Sequence, residues 1–95
     1  MTECTICCTN KAVDEKGEEI DILYGIISRT VTVEGLNFET YGIAVCSKAE
    51  STVDWAEVYD ISADREEVAA LVETLCRCQV TALTLSDVVA DYIEK

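Results

Sequence analysis

From residue 20 onward the chain alternates as a strand does. Ile20, Ile22, Tyr24 and Ile26 share one parity, and Leu23, Ile27, Val31 and Val33 share the other. The apolar parity changes near Ser28-Arg29, which predicts a bulge or a bend there. Glu34-Gly35-Leu36-Asn37 is a turn signal. Phe38 to Ser47 reads as a second strand, with Tyr41, Ile43 and Val45 on one face. Lys48 to Thr52 is polar and reads as a loop. Val53 to Ile61 reads as a third strand, with Trp55, Tyr59 and Ile61 on one parity and Ala56 and Val58 on the other. Short connections make these strands an antiparallel meander.

At Ser62 the apolar period lengthens. Val68, Leu71, Val72 and Leu75 fall at i, i+3, i+4 and i+7, the stripe of an amphipathic helix. Ser62 is the expected N-cap, and Asp64, Glu66 and Glu67 put negative charge where the helix dipole favours it. This helix is expected to end near Cys78-Gln79. A second is expected to start close to Thr81, with Leu85, Val88, Val89, Tyr92 and Ile93 as its stripe. Strands followed by helices indicate an α+β fold. The simplest form is a three-stranded antiparallel meander with two C-terminal helices packed on one face. Residues 1–17 look different. Lys11 to Gly17 is charged and aperiodic, so this segment reads as a flexible, cysteine-containing arm outside a folded body at 18–95.

Three stretches carry a resemblance: Tyr41-Gly42-Ile43-Ala44-Val45, Asp60-Ile61-Ser62-Ala63-Asp64, and Leu85 to Ile93 with its Asp-Val-Val-Ala-Asp-Tyr core. Together they resemble a family of small uncharacterised proteins from Firmicutes bacteria, filed as a domain of unknown function. The resemblance covers about residues 20–95. It implies a bacterial cytoplasmic protein and carries no activity with it.

Composition narrows the function classes. Ninety-five residues are enough for one small domain. Nineteen acidic against seven basic side chains give a formal charge of −12. Phosphate backbones and anionic lipids need clustered Lys and Arg, so neither nucleic acid nor membrane surface is an expected partner. No stretch reaches the length and apolarity of a membrane span. The N-terminus has neither a basic n-region nor an apolar run of signal-peptide length, so a cytoplasmic protein with reduced thiols is expected. There is no His, which removes the commonest general base and any Ser-His-Asp arrangement.

Six cysteines offer the sharpest candidate chemistry. Cys4-Thr5-Ile6-Cys7 is a C-x-x-C with Cys8 beside it, and Cys76-Arg77-Cys78 is a C-x-C. Thiolates suit soft metals, so Cys4, Cys7, Cys76 and Cys78 are the candidate ligands for zinc or an iron–sulfur cluster. A redox C-x-x-C normally opens a helix that lowers the thiol pKa, and no helical period follows Cys7. Cys46 reads as a packing residue. Asp87, Asp91 and Glu94 share one helical face, which does not converge on a hard cation and reads as a solvated surface. Trp55 and Tyr59 read as core; on the other face of the sheet they would mark a binding surface.

The leading expectation is a non-enzymatic protein-interaction or regulatory module, whose acidic surface steers it toward a basic protein partner. The alternative is a thiol-ligated metal-binding or redox protein. The first strand is apolar on both parities and asks for cover on both sides, so a homodimer through the sheet is also expected.

Overall fold

Strand structure begins well before the alternation at Ile20. The computed structural model describes residues 2–93, with side chains over 3–92. Four strands, β1 (Thr2–Val13), β2 (Glu19–Val33), β3 (Leu36–Lys48) and β4 (Val53–Ser62), precede two helices, α1 (Arg65–Arg77) and α2 (Leu85–Ile93). The sheet order is β1-β2-β3-β4, each strand antiparallel to the next. The α+β class stands, but the three-stranded meander does not. The fourth strand comes from the segment read as an arm, where Cys4 lies opposite Ile27 and Asn10 opposite Ile22. The charged run after it is a turn. Asp14 accepts from the backbone N–H of Lys16 and Glu18, and Gly17 supplies the left-handed residue at φ 83°. Glu34 and Gly35, both at positive φ, close the β2–β3 hairpin as expected of a tight primed turn.

The bulges lie elsewhere than expected. β2 pairs with β3 without interruption from Asp21 to Val33, so Ser28-Arg29 is regular strand. Its parity change reflects a strand that is apolar on both faces. The register shifts instead between Ile6 and Cys8 in β1, and opposite Tyr41–Ile43 in β4. Each bulge flips the residues after it. Cys8 therefore turns inward, and Ile61 packs on the core although it shares sequence parity with exposed Trp55 and Tyr59.

Both helices cover one face of the sheet. Ile22, Tyr24, Ile26, Ile43 and Val45 meet Val68, Val72 and Leu75 of α1 and Leu85 and Val89 of α2. Asp64, two residues past the expected cap, caps α1 by accepting from the Glu66 N–H. The helix ends in a Schellman-type turn. Gln79, at φ 56°, donates to the Cys76 carbonyl and Val80 donates to the Leu75 carbonyl. A turn from Thr81 to Thr84 then leads into α2. The end of α1 is tied to the sheet by side chains. Asn10 Nδ2 donates to the Cys76 carbonyl at 2.7 Å, Gln79 Nε2 to the Lys11 carbonyl at 2.6 Å, and the Tyr24 hydroxyl to the Val80 carbonyl at 2.8 Å.

Candidate functional site

The helical stripes are only partly used by the core. Val68, Val72 and Leu75 of α1 are buried, whereas Leu71 stays half-buried. In α2, Leu85 and Val89 are buried, and Val88 and Tyr92 are half-buried; Glu94 and the Ile93 side chain lie outside the described residues. The reason is the seating of the helices. α1 lies across the strands and α2 rests on β4, so each packs on the sheet more than on the other. The half-buried members line an open groove of about 620 Å³ between them. Leu71, Leu75, Val88 and Tyr92 make it apolar, Ala70 keeps one wall low, and Glu67 and Asp91 stand on its rim. The Tyr92 hydroxyl leans on Glu67 at 3.4 Å, and the desolvation of that phenol and the Glu67 charge hold its pKa above the ordinary value. Glu66, Glu73 and Asp87 are also exposed on these two helices. The groove is thus an apolar slot in an acidic surface.

The opposite face of the sheet is uncovered. Trp55 is 54% exposed and Tyr59 43%, so neither is the core residue expected from its parity. They share this face with Leu23 and Ile6, also exposed, and with Ile27, which its neighbours cover completely. Polar groups tie one end together. Arg29 pairs with Asp60 and lies 5.3 Å from the Tyr59 ring centre. The Tyr59 hydroxyl donates to Glu57. Hydrogen bonds from Tyr59 and Trp55 hold the Glu57 carboxyl below its ordinary pKa, and hydrogen bonds from Arg29 and Thr40 do the same for Asp60.

The cysteines do not assemble as the metal reading requires. Cys4 and Cys7 are exposed on β1, Cys78 is exposed at the end of α1, and Cys76 is buried beneath it. Among the described residues no group of three or more Cys, Asp or Glu side chains converges as a metal site. Cys76 instead pairs with Cys8 in a disulfide across 68 residues, with a Cα–Cα separation of 6.6 Å. The expectation of reduced thiols throughout therefore fails at this pair. The β1 bulge is the cause, because without it Cys8 would point to the open face. Burial, and then the charge of Glu57, push the Cys4 thiol above its ordinary pKa, which suits neither a nucleophile nor a thiolate ligand. Asp87 and Asp91 are exposed, as the solvated-face reading has them.

The groove was missed in the sequence because periodicity reports a stripe but not which of its members a neighbour covers. The signal that was there is stripe width: five apolar positions on α2 are more than one sheet contact needs. Among the described residues no helix is long and apolar enough to cross a membrane. A family model described as "Family of unknown function (DUF6514)" matches residues 3–95. The match is wider than the stretch of resemblance and takes in β1. No curated protein and no solved structure matches the chain.

Proposed function

The chain belongs to this family of unknown function, DUF6514, and we propose that it is a non-enzymatic interaction module that captures a basic amphipathic segment of a partner protein between α1 and α2. The carrying observation is the apolar slot lined by Leu71, Leu75, Val88 and Tyr92 with Glu67 and Asp91 at its rim. Its chemistry asks for an apolar side chain flanked by Lys or Arg. Magnitudes assign the two parts different roles. One apolar anchor buried there contributes roughly 2 kcal/mol. An exposed ion pair contributes about 0.5 kcal/mol. Affinity then comes from the anchors, while the charges steer the encounter and reject acidic competitors. The same rim opposes phosphate backbones. In this reading the protein acts in the bacterial cytoplasm and holds no cofactor.

The thiol-based redox reading gains one observation, the Cys8–Cys76 pair. We take that pair as a structural tie, because Cys76 is buried under the helix end that Asn10 and Gln79 also hold.

Titration calorimetry with a 14-residue amphipathic Leu–Lys peptide, about 14 residues being the length of a short stable helix, tests the proposal. Binding is expected to weaken between about 50 and 500 mM salt as the rim charges are screened. Ala70→Arg, which fills the slot from an exposed position, is expected to weaken it at least about tenfold, or roughly 1.4 kcal/mol. A Leu–Glu peptide of the same pattern is expected not to bind. Equal binding of the two peptides, or no effect of Ala70→Arg, would overturn the reading.

A further inference from the structure

The open face of the sheet pairs a knob with a hole. Thr9, Leu23, Cys46 and Trp55 lie side by side across β1, β2, β3 and β4, one residue from each strand. At the β4 end of this row Trp55 stands out from the surface. Toward the β1 end the surface sinks into a depression of about 540 Å³, bordered by Thr9, Lys11, Asp21, Leu23, Cys46 and Lys48. Knob and hole sit in the same row on opposite sides of the sheet's midline, which falls between β2 and β3. A two-fold axis running along that midline, parallel to the strands, carries β4 of one copy over β1 of another. Each Trp55 then enters the depression of the other copy, twice over in one symmetric contact.

Charge favours a second copy over the basic partner assigned to the helices. The face holds Lys11, Arg29 and Lys48 against Glu19, Asp21, Glu57 and Asp60, three cations to four carboxylates. Almost none of the formal charge of −12 therefore lies on it. A basic protein finds no steering there, and two copies meet there with little local repulsion. Arg29 and Asp60 already neutralise one another, as do Lys11 and Asp21 at 3.7 Å. Lys48 makes no ion pair among the described residues, and it borders the hole that receives an indole face. The composition at the contact, Trp with Tyr59 and Arg29 close by, is that of binding hot spots. β2, apolar on both sides, would be covered on both sides.

We propose that the chain forms a symmetric face-to-face dimer in which Trp55 of each copy fills the Thr9–Leu23–Cys46 depression of the other. This rests on a different surface from the groove between the helices, and the two stand or fall separately. Trp55 is the single tryptophan, so its emission reports the contact directly. Light scattering and fluorescence on the full chain from about 10 µM to about 1 mM span the range of moderate self-affinity. The mass is expected to rise toward twice 10.4 kDa, with the emission shifting to the blue over the same range. Added salt is expected to tighten association, since it screens the charge carried elsewhere. Trp55→Ala and Leu23→Arg are each expected to stay monomeric. Their equimolar mixture is expected to associate, because one intact knob still finds one intact hole. Lys48→Glu is a second hole-side variant should Leu23→Arg fail to fold, and Ala70→Arg is expected to dimerise as the parent does. A monomer mass throughout, an unshifted emission, or undiminished association of Trp55→Ala would each overturn the proposal.

Discussion

Gly42 shows how a single residue sets the shape of the open face. The β4 bulge drops the Val58 carbonyl and the Tyr59 backbone onto it, and an added Cβ would meet the Tyr59 Cα at 2.9 Å and the Val58 carbonyl oxygen closer still. Only a residue without a Cβ lets β3 and β4 approach there. That approach places Asp60, at φ 56°, where it reaches Arg29 and Thr40. Gly42→Ala is expected to lower stability by about 1–3 kcal/mol, the usual range for overpacking. A denaturant midpoint within error of the parent would contradict this placing of β4. The glycine is plain in the sequence, but its reason is not, because nothing local marks a bulge on the neighbouring strand.

At the scale of elements, periodic segments were legible and paired ones were not. The stripes of α1 and α2, the Glu34-Gly35 turn and the three later strands all stand where alternation puts them. β1 was lost because it is an edge strand with polar residues on both parities and a bulge that breaks its period at Cys7. The same bulge hid the Cys8–Cys76 tie, since partners 68 residues apart leave no local trace. The candidate site fared likewise. Leu71, Val88 and Tyr92 were assigned correctly to apolar stripes, but the spacing of two helices on a sheet decides which of them stay open. A cross-link closing a loop of this size contributes up to about 4 kcal/mol by restricting the unfolded chain. Cys8→Ser/Cys76→Ser, or reduction of the parent, is expected to lower the melting temperature substantially while leaving the sheet's circular dichroism unchanged. Equal melting of oxidised and reduced protein would mean that the pair ties nothing. A reducing cytosol opens such bonds, so β1 is held there by its ladder and by the Asn10 and Gln79 hydrogen bonds alone.

The whole molecule has two unlike faces. The helix side is acidic and grooved, and the sheet side is nearly neutral and aromatic. The two respond oppositely to salt: capture of a basic segment weakens as ionic strength rises, and pairing of the open faces strengthens. Both ends of this contrast were half visible in composition. The charge of −12 is read from the residues, but its confinement away from the open face follows only from strand register.

The binding of a basic segment between the helices is tested most directly by mapping it residue by residue. Isotope-labelled protein is titrated with the Leu–Lys peptide and followed by amide resonances. The expected shifts gather at Ala70, Leu71 and Thr74 of α1 and at Val88, Asp91 and Tyr92 of α2, while the Trp55 indole and the amides of Leu23 and Cys46 stay in place. Shifts centred on Trp55, Leu23 and Cys46, with the two helices silent, would contradict it.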